Sequence, residues 1–165
     1  MEISFARAQE QHAADLAALQ TAVAQHLTAR HGRGHWSVMT SAEGVRRAIQ
    51  SSYVLVACEH HLPVATLTLA TKKPWAIDPA YFAPAKRPLY LVNMAVAVEL
   101  QGQGIGRRLL GEGVAVAKAW PADAIWLDAY DAAVGAGGFY ARCGFREVGR
   151  VVYRRTPLVY FELDL

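Results

Sequence analysis

The sequence predicts an α+β chain with α/β/α-like layering. Its sheet is mixed and mostly antiparallel, of about seven strands, interrupted by one central strand–helix–strand unit. Three observations carry this. Short β-rich runs recur toward both ends of the chain, separated by turn residues. Two helical stretches follow the first of them. In the middle, the nearly unbroken apolar run 89–98 leads through a glycine-rich turn into a helix and then into another apolar run. A parallel strand buried on both faces requires such a run.

The elements follow in order. Ile3–Arg7 alternates and reads as a first strand. Residues 11–30 read as a helix, with Leu16, Leu19, Val23 and Leu27 at helical spacing. The glycines of HGRGHW, residues 31–36, break it. Ser41 is placed to cap a second helix that runs to about Gln50, with Val45 and Ile49 on one face. Residues 52–72 read as a hairpin turning at His60-His61-Leu62-Pro63. Residues 73–88 carry Pro74, Pro79, Pro84 and Pro88 among Trp75, Tyr81 and Phe82, a connection long enough to be functional. The apolar run 89–98 is the central strand. A helix is expected from 104 to about 120, ended by Pro121 and weakened by Gly111 and Gly113. A strand at 124–130, a short helix at 135–143 and a hairpin of 145–153 with 157–164, turning around Arg155-Thr156-Pro157, complete the chain.

At 165 residues the chain has the length of one domain, so 1–165 is expected to be a single unit with a substantial core. The 53% hydrophobic and 19% charged composition is that of a folded protein. A net charge of +3 is too mild to predict nucleic-acid binding, and no basic stripe with interleaved aromatics is present. Cys58 and Cys143 have no metal-ligand spacing and make no disulfide framework, so no metal site is expected. Glu2 and the lack of a long apolar stretch near the N-terminus argue against a signal peptide. No apolar run reaches the roughly 18 residues of a membrane span. A cytoplasmic location, with no membrane or nucleic-acid partner, is the expectation.

The most informative stretch is ELQGQGIGRRLL, residues 99–110. Glycines between a buried strand and a helix free backbone N–H groups to meet an anion at the helix start. Two nucleotide patterns fail here. The phosphate-loop pattern needs Gly-Lys-Ser/Thr, but Gly106 is followed by Arg107. The dinucleotide pattern from Gly102 needs a glycine at 107. The stretch Gln101-Gly102-Gln103-Gly104-Ile105-Gly106 instead has the form Gln/Arg-x-x-Gly-x-Gly/Ala. It resembles the pyrophosphate loop of the GNAT superfamily, the acyl-CoA-dependent N-acyltransferases. Asn93-Met94-Ala95-Val96 is similar to that family's fourth strand, with Val96 five residues before Gln101. Downstream, Ala136 and Gly138-Phe139-Tyr140-Ala141-Arg142-Cys143-Gly144-Phe145 resemble its A-x-x-F-Y-x-x-x-G-F segment. The resemblance covers the whole chain and departs at Ala133, where many relatives carry an asparagine.

The resemblance implies a GNAT fold whose strand–helix–strand unit binds CoA, acetyl-CoA as co-substrate, and direct transfer of an acetyl group to a small-molecule or peptide amine. It places the cofactor on Met94, Ala95 and Val96, on Gln101, Gly102, Gln103, Gly104, Ile105, Gly106 and Arg107, with Arg108 as further charge. Tyr140 matches the tyrosine that protonates the departing thiolate. The base is open: Asp128 is the leading candidate, with Asp131 and Glu99 as others, and His31, His35, His60 and His61 have a suitable ordinary pKa. His35, Trp36, Trp75 and Tyr81, with Phe82, are candidates to line the acceptor pocket. A homodimer is compatible with the family. A non-catalytic acyl-CoA-binding module is the alternative, favoured by Ala133 and disfavoured by Tyr140.

Overall fold

The computed structural model describes residues 1–165. The chain divides into two compact units, Met1–Leu69 with Asn93–Gly113, and Ala70–Val92 with Val114–Leu165. The hydrogen-bonded strand order is β1-β2-β3-β4-β5-β7-β6, in one mixed seven-stranded sheet. The strands are β1 (Ile3–Arg7), β2 (Tyr53–Glu59), β3 (Leu62–Ala70), β4 (Pro88–Val96), β5 (Ala124–Tyr130), β6 (Arg146–Tyr153) and β7 (Thr156–Asp164). The helices are α1 (Ala13–His31), α2 (Ala42–Ser51), α3 (Ile105–Ala119) and α4 (Gly137–Arg142). No helix is long and apolar enough to cross a membrane.

In the first unit, α1 and α2 cover one face of β2. Ala13, Leu16 and Ala17 of α1 and Val45 of α2 bury against Val54, Val56 and Cys58. Of the predicted α1 stripe, only Leu16 is fully buried; Leu19 is half-buried against the same core, and Ala13 and Ala17 add to the contact. Ser41 caps α2 as expected, its Oγ accepting from the Gly44 N–H at 3.0 Å. β2 and β3 form an antiparallel hairpin turning on His60 and His61, whose φ values are +47° and +70°. Two consecutive left-handed residues are what a tight hairpin requires.

In the second unit, β5 pairs antiparallel with β7 along its whole length, from Ala124↔Asp164 to Tyr130↔Leu158. It pairs in parallel with β4 at Pro88, Leu89 and Tyr90. The core here is aromatic. Phe82 stacks on Trp126 at 4.4 Å between centroids, and both meet Tyr90, Tyr160 and Ile77.

Three expectations need correction, and one glycine has a further role. β4 stops at Val96, and Val98–Leu100 forms a 3₁₀ turn instead of strand. Nor is β4 buried on both faces throughout, because Val92 and Asn93 are exposed. The ladder to β5 has ended at Tyr90 by then, so that side of the strand lacks a partner at Leu91 and Val92. The last hairpin turns on Arg154 and Arg155, at φ +45° and +66°, while Thr156 and Pro157 already belong to β7. Finally, Gly113 in α3 is a packing position: a Cβ there would lie 3.0 Å from the buried Leu67 Cδ2.

Candidate functional site

The glycine loop belongs to the first unit. After Val96 the chain is tied back to β3 by the Ala97 N–H, which donates to the Val64 carbonyl at 2.8 Å. The Gln101 side chain donates through Nε2 to the Val96 carbonyl at 3.0 Å, and Gln103 Nε2 donates to the Glu99 carbonyl at 3.3 Å. These two amides shape the loop from within. Gly102 and Gly104 hold φ of +78° and +84°, which L side chains rarely adopt, and open space surrounds both Cβ positions. Gly104 then accepts from the Arg108 N–H at 3.1 Å as α3 begins. The N–H groups of the first helical turn have no partner within the helix and carry the positive end of its dipole. Ile105 is buried and anchors that turn; Gly106 is half-buried.

The two arginines diverge. Both are exposed, but Arg108 lies over the Phe5 ring of β1, 5.1 Å from its centroid. Just upstream, Ala95 is buried and Met94 and Val96 are half-buried.

Tyr140 and Asp128 belong to the second unit. Tyr140 sits on α4, 7% exposed, with its ring against Phe139, Phe145 and Phe161 at 5.3, 5.6 and 6.2 Å. Glycines make this packing possible. A Cβ on Gly137 would lie 3.3 Å from the Phe161 ring, and one on Gly135 would lie 1.8 Å from the Tyr130 carbonyl oxygen. Burial pushes the Tyr140 phenol well above the ordinary value of 10.0, and the charges of Asp128 and Cys143 push it further. Asp128 is half-buried on β5, in register with Tyr160 of β7. Burial raises its carboxyl above the ordinary 3.8. The structure therefore brings Tyr140 and Asp128 within electrostatic reach of each other.

The sign of the Asp128 shift gives a test of its environment. Its contribution to stability is fully present below 3.8 and is lost as pH rises through the folded value. Asp128→Asn should therefore gain stability relative to the parent between acid and neutral pH. Urea midpoints at the two ends of that range check this; a constant difference would mean the carboxyl is not desolvated.

The remaining candidates scatter. Asp131 is paired with Arg150 at 3.2 Å. Glu99 lies on the 3₁₀ turn before the loop, and Ala133 is exposed. His31 ends α1, and His60 and His61 make the hairpin turn. His35 and Trp36 share a short turn, 35–37. Trp36 folds over its own loop: its Nε1 donates to the Gly32 carbonyl at 2.9 Å, and its ring occupies the space beside Gly34. On the proline-rich connection, Trp75 is 82% exposed, Tyr81 sits edge-on to Tyr160, and Phe82 is core instead of pocket lining.

What the residue pattern missed is how firmly that connection is held. The Tyr160 hydroxyl donates to the Ala76 carbonyl and accepts from the Asp78 N–H at 3.2 Å. The buried Glu162 carboxylate accepts from the Ala83 N–H at 3.1 Å and from Arg146. Asp123 accepts from the Lys86 and Arg87 N–H groups at 2.7 and 2.9 Å. The available signal was Glu162 itself, a carboxylate inside the apolar run PLVYFEL.

Comparison with known proteins follows the same lines. A model of the acetyltransferase (GNAT) family matches residues 17–145. No curated protein matches the sequence. Solved structures match at low identity over nearly full length. An N-acetyltransferase from Staphylococcus aureus Mu50 is 15% identical, with 99% of both chains covered and a TM-score of 0.75. A ribosomal-protein-alanine N-acetyltransferase from Brucella melitensis is 18% identical, covering 98% of this chain and 99% of that one, at 0.75. The PaiA N-acetyltransferase from Thermoplasma acidophilum, in complex with coenzyme A, is 14% identical, with both chains fully covered at 0.75. At such identities these structures speak for the fold, while the family match spans most of the sequence. The chain belongs to the acetyltransferase (GNAT) family.

Proposed function

We propose that the protein transfers an acetyl group from acetyl-CoA to a primary amine of a small molecule or peptide, by direct attack of the amine. The observation that carries this reading is the loop 101–106. Its two positive-φ glycines stand with open space at their Cβ positions, directly before a 15-residue helix. A diphosphate needs several N–H donors and close backbone approach, and this loop has the donors and lacks the side chains that would block it. The exposed Arg107 adds positive charge. The family match runs across both compact units, which supports a single N-acetyltransferase domain over 1–165.

When bound, acetyl-CoA supplies an activated thioester carbonyl. The residues of the chain then divide the work. Backbone N–H groups at Met94–Val96 polarise the carbonyl, as oxyanion-type donors do. Tyr140 donates a proton to the departing thiolate; its phenol is protonated throughout the neutral range. Asp128 takes the proton of the substrate ammonium, and its raised pKa makes it a stronger base than an exposed carboxylate. His35, Trp36, Trp75 and Tyr81 remain the proposed acceptor-side residues.

Thermal unfolding tests the loop. CoA and acetyl-CoA should stabilise the protein, by about 2.7 kcal/mol at a hundredfold excess over Kd, and ATP and NAD should not. Gly104→Val forces a β-branched residue into the left-handed region. It should weaken CoA at least about tenfold while lowering stability by only about 1–3 kcal/mol. Stabilisation by ATP or NAD and not by CoA would overturn the reading.

A further inference from the structure

We infer that a groove between α1 and the β2–β3 hairpin binds a small organic cation with an apolar body, and that it does so outside the transfer chemistry. The groove, about 480 Å³, lies wholly within the first unit. That volume suits a small molecule, since such sites run from about 300 to 1,000 Å³. Leu19 and Val23 of α1, Pro63 and Val64 of the hairpin, and Val98 and Leu100 line its apolar walls. Leu62, 63% exposed, extends the apolar surface at the mouth.

Charge selects the occupant. Asp15, Glu59 and Glu99 also line the groove, and none of the three carboxylates has a hydrogen bond or ion pair to another group. His60 is the remaining titratable residue of the lining, and no lysine or arginine contributes. In a chain of net charge +3, this is a local negative field over an apolar floor. Anions are repelled there. A neutral apolar ligand would leave the carboxylates unmatched, whereas an alkyl- or arylammonium ion satisfies both features.

The groove also shares its wall with the glycine loop. Ala97 to Leu100 line it, the Ala97 N–H is bonded to Val64 across it, and the Glu99 carbonyl accepts from Gln103 of the loop. An occupant that packs on Val98 and Leu100 steadies the segment entering Gln101. Cation and CoA should therefore bind with positive, reciprocal coupling. This second clause rests on the loop being the CoA loop; the binding clause does not.

The probe is hexyltrimethylammonium, which has no N–H to acetylate, so its binding is separate from turnover. Isothermal titration of the full chain should show saturable binding at one site, with hexanol at least about tenfold weaker. The pair Asp15→Asn with Glu59→Gln should weaken the probe at least about tenfold, and Ala22→Trp, on the groove side of α1, should occlude it. Circular dichroism confirms that each variant folds; if Ala22→Trp does not, the carboxamide pair decides. Equal affinity for hexanol, no saturable binding up to about 10 mM, or binding indifferent to the carboxamide pair overturns the site. Saturating probe should tighten CoA binding about fivefold or more; unchanged CoA affinity overturns the coupling alone. A protein that binds the probe but never CoA contradicts the function proposed above and leaves the groove standing.

Discussion

Tyr140→Phe is expected to lower amine-dependent release of CoA by about 10²–10⁴-fold, the usual contribution of a positioned general acid. Tyr140 is 7% exposed, its ring packed against Phe139, Phe145 and Phe161, and phenylalanine fills the same space. Thermal stabilisation by CoA should therefore persist, and stability near neutral pH should change by only about 1 kcal/mol. The loss should fall on kcat if the phenol has its proposed role at the leaving group. A second signature comes from linkage. The folded phenol keeps its proton above pH 10.0, where the unfolded chain gives its proton up. The stability that Tyr140 contributes is thus fully present below that value and is lost as pH rises through the folded pKa. The variant should lose less stability than the parent on alkaline titration. Full turnover in the variant would remove Tyr140 from the chemistry.

Glu162→Ala should cost about 3 kcal/mol. Glu162 is 2% exposed and serves two donors at once, the Ala83 N–H of the connection and the Arg146 guanidinium. Hydrogen bonds to charged groups contribute about 1.5–3 kcal/mol each, and truncation also leaves a buried N–H without its acceptor. For a chain of this size, that predicts a fall in Tm of about 6–12 °C. Glu162→Gln keeps an acceptor for Ala83 and should lose less than alanine does. Chemical denaturation of the three proteins checks the order. A loss under about 0.5 kcal/mol in the alanine variant would mean that the connection is held by Tyr160 and Asp123 alone.

Much of this architecture is legible in the residues. Ser41 announces a cap, the Ala124–Tyr130 run is a strand of that length, and the apolar run 89–98 announces a central strand leading to a glycine turn, although β4 ends at Val96. These are local signals, set by spacing and by single-residue chemistry. Gln101 is legible for a different reason: its place five residues after Val96 resembles the family's loop, and in the structure its side chain donates to the Val96 carbonyl. What stays hidden is non-local. The end of the parallel ladder to β5 at Tyr90, before the exposed Val92, is not encoded by any periodicity inside β4. Gly113 looks like a helix weakness until Leu67, far away in sequence, is seen beside it. The aromatics of the connection look alike in sequence, yet Phe82 is core, Trp75 is exposed and Tyr81 lies beside Gly149. Their separation follows from the anchoring of 76–87 by Tyr160, Glu162 and Asp123, a set drawn from the far end of the chain.

The measurement that bears most directly on the account is release of free thiol from acetyl-CoA, followed across a panel of primary amines and amine-bearing peptides. The account predicts that release depends on the amine and yields one acetylated amine per thiol. It also predicts that release falls with Tyr140→Phe and with Gly104→Val for different reasons, kcat in the first and CoA affinity in the second. Stabilisation by CoA without amine-dependent release from any member of the panel would contradict it, and would leave a protein that binds acyl-CoA without transferring the acyl group.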